Sequence, residues 1–343
     1  MGLNTFPSIA SSKVAYNGGN TAARPSSPAV GDAYFNTEGQ IVELWDGSYW
    51  QQLDAIDPPY LEYVVVAGGG SGGPQAAGGG GAGGYRSNVA GEASGGGAGQ
   101  ESATTYVKNT SYTVTVGAGG AAVAPGTQGN NGSNSVFGSI TSTGGGGGGK
   151  YPSAVGSNGG SGGGNAGNGA PGSTTYSSGT ANQGFKGGLT NGYDMGGGGG
   201  AGGAGYDGST ATIFGQGGVG VQSSITGTAT YRAGGGGGAR NVDSDATAVG
   251  GNGGGGNGGK GNGTNAPTAG TANTGGGGGG ARDATSAWGT SYGAPGGSGV
   301  VILRYPSGKG TMTSIGGGLS YTTAVSGNYR VYTFTAGTGT VVL

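Results

Sequence analysis

Residues 64–84 read VVVAGGGSGGPQAAGGGGAGG, and this passage from an apolar strand pattern into glycine runs decides the fold. The chain has 343 residues, and 98 of them are Gly, a fraction about four times the usual one. Such an excess is typical of disordered chains, because few apolar side chains remain to offset the entropy of ordering the backbone. Here, however, 84 of the glycines lie between residues 68 and 299, in runs that strand-forming segments bracket on both sides. This placement favours an ordered structure.

The glycine runs do not suit conventional helices or strands. Gly costs about 1 kcal/mol per residue in an α-helix relative to Ala, and a run of it gives a strand no side chains to pack. Gly is not at every third position, which excludes a collagen triple helix. We therefore predict a central polyglycine II-like helical bundle, whose outward N–H and C=O groups pair with neighbouring extended helices. The main runs are 68–73, 78–84, 95–97, 144–149, 159–164, 196–205, 234–238, 250–259, 275–280 and 296–299.

Conventional strand patterns lie on both sides of this region. Near the N-terminus, three short aromatic segments separated by turn signals predict a β-meander. Around the glycine runs, two continuous apolar segments are typical of buried strands, and two more strands joined by a hairpin at 336–339 are predicted at the C-terminal end. The predicted strands are 33–36, 41–45, 49–53, 61–66, 112–116, 300–305, 329–335 and 340–343.

These patterns predict a fold class that is mainly β and irregular, with little or no α-helix. We divide the chain into an N-terminal β-module at 1–60, a polyglycine II-like domain at 61–299 and a C-terminal β-element at 300–343. The C-terminal element is expected to pack with the strand at 61–66.

Composition excludes several kinds of chemistry. The chain has no His and no Cys, so the commonest general base, thiol nucleophiles and the usual zinc ligands are absent. Its 13 basic and 14 acidic residues are too dilute for a nucleic-acid groove. Neither a membrane-spanning apolar stretch nor a classical secretion signal is present in the sequence, and no glycine run has the phosphate-loop form. We expect no cofactor, no metal, no membrane insertion and no enzymatic activity.

Five motifs, taken in order, resemble the glycine-rich domain of bacteriophage tail fibres and adhesins. They are VVVAGGG at 64–70, YTVTVGAGG at 112–120, NGSNSVFG at 131–138, GGSGVVILRY at 296–305 and YTFT at 332–335. The segment from Pro28 to Trp50 is similar to a short β-module of phage tail and fibre proteins. Together the matches span most of the chain.

The resemblance implies a virion structural protein, often a homotrimer, that works in host attachment. It implies contact with other virion proteins through the N-terminal module. It also implies receptor binding, to a host surface glycan or outer-membrane protein, through loops between glycine segments. The expected location is the virion tail fibre, after synthesis in the host cytoplasm.

Aromatic and charged residues occur where glycine runs begin or end. If the runs form the interior, these residues emerge at loop tips, where Tyr, Trp and Arg suit stacking on sugars or anchoring in a receptor. The alternative is that they cap the ends of the bundle and seal its backbone from water. The candidate receptor-binding residues are Tyr193, Tyr206, Tyr231, Arg232, Arg240, Arg282, Asp283, Trp288 and Tyr292.

Three other functions stay open. A phage head fibre or capsid decoration protein would use the same physics at another place in the virion. A glycan-degrading tailspike would need two carboxylates about 5 to 10 Å apart, and Asp243 with Asp245 is the best pair, although a solvated loop is the simpler interpretation. An ice-binding protein would need a flat, regular face, which connectors of unequal length do not favour.

Overall fold

A computed structural model describes residues 17–38, 41–53, 60–105, 109–167, 173–208, 214–240, 247–260, 265–282 and 292–343. The chain divides into two units, Met1–Pro59 and Tyr60–Leu343. The division into three domains stays a prediction. The described residues contain no α-helix, and the helical turns among them are two short 3-10 segments, Thr21–Ala23 and Ser307–Lys309. The expected fold class, mainly β with little or no α-helix, is confirmed.

The first unit is a small four-stranded sheet in the order β1-β2-β3-β4. Its strands are β1 (Asn17–Gly19), β2 (Ala33–Asn36), β3 (Ile41–Trp45) and β4 (Trp50–Leu53). The last three form the expected antiparallel meander, and β1 adds to β2 in parallel. Aromatic rings hold the unit together, since Trp50 lies 5.8 Å from Tyr34 and 5.7 Å from Trp45 between ring centroids.

A partly buried ion pair links Arg24, the residue after the 3-10 segment Thr21–Ala23, to Glu43 on β3. Arg24 donates from Nε to Glu43 Oε2 at 2.7 Å and from its terminal nitrogen to Oε1 at 2.5 Å. Glu43 is 1 % exposed and also accepts a hydrogen bond from Asn36. The hydrogen bonds from Arg24 lower the pKa of Glu43 below its usual 4.5, against the opposing effect of burial.

We expect Arg24→Met to destabilise the first unit by about 2 kcal/mol at pH 7, because a buried carboxylate loses its charged donor. Since the pKa of Glu43 is lower in the folded unit than in the unfolded chain, the pair stabilises the wild type above about pH 4.5. That contribution disappears as the pH falls through the folded pKa. Urea unfolding followed by tryptophan fluorescence at pH 7 and pH 3 measures both effects. Equal pH dependence in wild type and Arg24→Met would contradict this role.

The second unit is built on a ten-stranded sheet. Its main path is β10-β9-β8-β16-β13-β5-β6, with β14 and β15 paired to β16 and β7 paired to β5, while β11 and β12 form a separate pair. The strands are β5 (Tyr60–Val66), β6 (Tyr85–Ser87), β7 (Thr104–Thr105), β8 (Ser111–Thr115), β9 (Ser135–Phe137), β10 (Ile140–Ser142), β11 (Val221–Ser223), β12 (Thr230–Arg232), β13 (Val300–Pro306), β14 (Ser314–Ile315), β15 (Leu319–Ser326) and β16 (Tyr329–Val342).

The central strands β5 and β13 are buried on both faces, which explains their continuous apolar sequences. They are antiparallel, with Val64 opposite Ile302. On one face Val65 and Leu303 join an aromatic cluster that includes Phe334. On the other face Val64 and Ile302 pack in a second cluster of Val, Ile and Ala side chains with Tyr85. These two clusters hold most of the buried large apolar side chains of the unit.

The predicted hairpin at 336–339 is wrong. The chain continues as one strand, β16, which pairs with β13 and β15 along its first part and with β8 and β14 along its second part. Gly337 has a φ of 93° within the strand, so the glycine signal marks a local irregularity between two sets of partners. The tight connection lies at Gly327, between β15 and β16.

Hydrogen-bond partners along the glycine segments repeat every third residue. Segment 275–281 illustrates this, since two of its neighbours each receive two hydrogen bonds from residues three apart. The donor N–H and acceptor C=O pairs, all at 2.9 Å, are Gly277 to Gly234, Gly280 to Gly237, Gly278 to Gly70 and Ala281 to Gly73. The core of this region is therefore made of backbone hydrogen bonds between segments.

The segments run alternately away from and toward the ten-stranded sheet, as their hydrogen-bonded neighbours show. Segments that run away from the sheet include 67–73, 144–149, 159–167, 203–208, 233–239, 255–260 and 275–281. Segments that return include 78–84, 195–201, 215–220, 248–253, 265–271 and 293–299. The structure assigns no helix of any kind to these segments, so a polyglycine II helical bundle is not established by the secondary structure.

Gly80 shows how little room a side chain would have in this packing. Its amide donates to Gly278 O at 2.8 Å, and its carbonyl accepts from Gly236 N at 2.8 Å. A Cβ atom on Gly80 would overlap the carbonyl oxygen of Gly70. Three segments thus approach this residue closely enough that only glycine fits.

We expect Gly80→Ala to destabilise the second unit by at least about 3 kcal/mol, because the backbones around it must move apart. The matched control is Gly317→Ala, since a Cβ at Gly317 meets nothing within 4 Å. That variant should stay within about 0.5 kcal/mol of wild type. Thermal unfolding of both variants measures the difference, and equal stabilities would contradict the close packing.

Candidate functional site

The alternating segments give the second unit two ends. We call the sheet end the one where segments meet β5, β6, β11, β12 and β13. We call the loop end the opposite one, where segments such as 67–73 and 233–239 finish. Large side chains are therefore found mainly at one end or the other, because the glycine runs carry none.

A row of buried charges lies at the loop end. Asp194, Arg240 and Lys260 are adjacent on three neighbouring segments, through backbone bridges from Asp194 to Arg240 and from Arg240 to Lys260. All three are at most 7 % exposed. Arg240 Nε lies 3.4 Å from Asp194 Oδ1, and the guanidinium stacks on the Phe214 ring at 3.5 Å. A buried charge destabilises a fold unless it is paired. The pairing of Arg240 with Asp194 therefore favours a fixed position of these two segment ends relative to one another.

Exposed tyrosines lie at the same end of the second unit. Tyr193, Tyr206 and Tyr292 are each about half exposed, and so is Tyr151, which follows the segment 144–149. A turn holds Tyr193 in place, because Asn191 Oδ1 accepts hydrogen bonds from the amides of Tyr193 and Asp194 at 2.9 and 2.8 Å. Half-exposed phenol rings on a fixed backbone are suited to stacking on a ligand and to hydrogen bonding with it.

Among the described residues of the loop end, Asp194 and Asp207 are engaged by contacts within the protein. Asp207, next to Tyr206, accepts a hydrogen bond from the Leu189 amide at 2.7 Å and one from the Tyr176 hydroxyl at 3.2 Å. Asp194 is paired with Arg240. These carboxylates therefore hold the connectors in place, and the half-exposed rings at this end are the groups that a ligand can contact.

The predicted site residues divide between the two ends. Tyr193, Tyr206, Arg240, Arg282 and Tyr292 lie at the loop end. Arg282 follows Ala281 directly and is half-buried. Because Arg240 is 2 % exposed, its burial favours the capping role that was the alternative to receptor contact. Its role in binding stays a prediction.

Tyr231 and Arg232 lie on β12, at the sheet end of the same segment that finishes at Arg240. Tyr231 is exposed, whereas Arg232 is buried and its pKa is lowered by desolvation. Tyr85 lies nearby, and burial raises the pKa of its hydroxyl to about 12. The segment 233–239 separates this pair from the loop end, so the candidate residues do not form one contact surface.

Asp283 and Trp288 lie outside the described residues, as do Asp243 and Asp245. Tyr151 was not among the predicted site residues. The sequence signal was nevertheless present, since Lys150 and Tyr151 directly follow the glycine run 144–149. Within the described ranges, no group of three or more metal-ligating side chains occurs. The part of the chain that the structure describes has no helix with the length and apolar character needed to cross a membrane.

Residues 55–306 match the family model described as a glycine-rich domain. The chain belongs to this family. The match begins just before β5 and ends with β13, so it covers the glycine segments together with the two central strands of the sheet. No curated protein sequence matches the chain. The family description concerns the glycine-rich domain alone, and the likeness to phage fibres stays an expectation from the motifs.

Proposed function

We propose that this protein is a phage tail fibre or adhesin whose loop end binds a receptor on the host-cell surface. The observation that carries the proposal is the set of half-exposed tyrosines, Tyr151, Tyr193, Tyr206 and Tyr292, on one end of a backbone-bonded body. Amphipathic rings on a fixed scaffold lose little entropy when they bind. The order of motifs along the chain supports the assignment to fibres, and the receptor is a surface glycan or an outer-membrane protein.

We further propose that the glycine segments are polyglycine II-like rods. The three-residue repeat of hydrogen-bond partners supports this, since an extended helix with three residues per turn presents each neighbour with every third residue. Close packing on all sides, as at Gly80, is what such rods require. A rigid body of this kind would hold the loop end at a fixed distance from the rest of the fibre.

The first test compares two triple variants of the full chain. Tyr193→Ser, Tyr206→Ser and Tyr292→Ser together should weaken adsorption to bacteria at least about tenfold, a loss of roughly 1.4 kcal/mol. The probe is fluorescently labelled protein, and the target is a strain to which the wild type adsorbs, chosen from a panel of Gram-negative and Gram-positive species.

The control replaces three tyrosines of similar exposure with Ser on strands away from the loop end: Tyr231 on β12, Tyr321 on β15 and Tyr329 on β16. We expect adsorption of this variant to equal that of wild type. Loss in the control alone would place binding at the other end and contradict the proposal. Adsorption of the wild type to no strain of the panel would also contradict it.

The proposal includes a homotrimer in the virion that contacts other virion proteins through the N-terminal unit. Light scattering of the purified chain should give about three times the 31.9 kDa chain mass. A monomer at micromolar concentration would contradict the trimer. That result would not bear on receptor binding by the loop end, which the adsorption measurement tests separately.

A further inference from the structure

A cleft of about 780 Å³ opens at the sheet end, away from every predicted site residue. Its floor contains Tyr63 of β5 and Arg86 of β6, and its walls are the turns at 98–102, 139–140 and 181–183. This volume lies within the range of small-molecule sites, which is about 300 to 1,000 Å³.

The charges within the cleft compensate each other. Glu101 accepts hydrogen bonds from Arg86 Nε at 2.8 Å and from a terminal nitrogen of Arg86 at 2.6 Å. The Tyr63 hydroxyl donates to the same carboxylate at 2.7 Å. Burial, and then the hydrogen bond to Glu101, raise the pKa of Tyr63, so its hydroxyl remains a donor at neutral pH. A ligand in the cleft therefore meets a neutral, hydrogen-bonded cluster.

The remaining polar lining consists of uncharged groups. Side-chain amides come from Gln100, Asn182 and Gln183, and hydroxyls come from Ser102 and Ser139. Gln100 Oε1 and Gln183 Oε1 already accept hydrogen bonds from the amides of Gly91 and Thr143. The groups that can both donate to a ligand and accept from it are therefore the Asn182 side-chain amide and the hydroxyls. Such a lining matches a ligand whose own groups donate and accept in similar number.

The walls are held in place before any ligand binds. Gly96 has a φ of 66°, and a Cβ there would lie 3.0 Å from the backbone nitrogen of Asn182, so the two turns are in close contact. Asn182 itself has a φ of 60°. The Glu101 amide donates to Ser87 O at 2.8 Å, and Gln183 Oε1 accepts from the Thr143 amide at 2.7 Å. A preformed cleft loses less entropy on binding than a mobile one.

We propose that this cleft binds a neutral saccharide. A phosphate or nucleotide would favour an uncompensated cation, and Arg86 is already engaged by Glu101. An apolar ligand would cover the Asn182 amide and the lining hydroxyls without offering them hydrogen bonds. Sugar hydroxyls satisfy donors and acceptors together and need no net charge. The inference does not rest on the proposed function, because the cleft lies at the end opposite the tyrosines of the loop end.

Saturation-transfer NMR on the full chain tests the cleft directly. The probes are glucose, galactose, mannose and N-acetylglucosamine with the disaccharides maltose, cellobiose and chitobiose, and inorganic phosphate is the anionic probe. We expect transfer to at least one saccharide at millimolar concentration and none to phosphate. No saccharide transfer, or transfer to phosphate that the blocking variant abolishes, would overturn the proposal.

The blocking variant is Gly99→Phe, since Gly99 lines the cleft and a Cβ there meets nothing within 4 Å. It should weaken saccharide binding at least about tenfold. The matched control is Gly308→Phe, an exposed position with the same open space outside the cleft, which should bind like wild type. Equal binding by wild type and Gly99→Phe, with unchanged thermal midpoints, would overturn the assignment of the ligand to this cleft.

A second variant tests the lining itself. Asn182→Gly keeps the left-handed backbone at this position and removes one side-chain amide. It should weaken saccharide binding about two- to tenfold, the contribution of one neutral hydrogen bond. No change in affinity would contradict a contact from this residue and, together with an unaffected Gly99→Phe, would exclude the cleft.

Discussion

The second unit depends on close approach of backbones that carry no Cβ atoms. Gly80 forms backbone hydrogen bonds of 2.8 Å with two neighbouring segments, and a methyl group at that position would overlap the Gly70 carbonyl oxygen of a third. In most domains, side chains exclude water from the core while helices and sheets satisfy their own backbone groups. Here the backbone groups of different segments do both. Because the segments tolerate almost no side chains, the chemistry of this unit is confined to the places where segments end.

The two ends differ because of what joins the segments there. At the sheet end the connectors become strands, and the apolar faces of β5 and β13 supply a conventional side-chain core. At the loop end, the described residues form no sheet beneath the connectors. Bridges between Asp194, Arg240 and Lys260 instead join three of the segment ends, and tyrosine rings at this end remain half exposed. A binding site at the loop end would therefore be held in place by paired charges, whereas the cleft is held in place by strands.

Much of the fold could be predicted from local sequence. The structure contains a buried strand before Gly68, closely packed glycine segments and an aromatic β-meander in the first unit, each of which its local sequence pattern predicts. The hairpin at 336–339 was wrong, because Ala-Gly-Thr-Gly is a turn signal only when the two flanking strands pair with each other. In β16 the flanking residues have different partners, and Gly337 adjusts the strand between them. The cleft was also beyond local patterns, because Arg86, Glu101 and Gln183 are brought together by strand pairing and by neighbouring segments.

By itself, the sequence determined the composition of the interior and the absence of thiol and imidazole chemistry, because these follow from residue counts and run lengths. It also determined that aromatic and charged residues would occur at segment ends. Only the tertiary structure decided which end each of them occupies and whether its side chain faces inward, as in Arg232 and Arg240, or outward, as in Tyr193 and Tyr292. The physical reason is that glycine runs carry no side-chain periodicity. The direction of a segment and the identity of its neighbours are set by backbone hydrogen bonds between residues far apart in the chain.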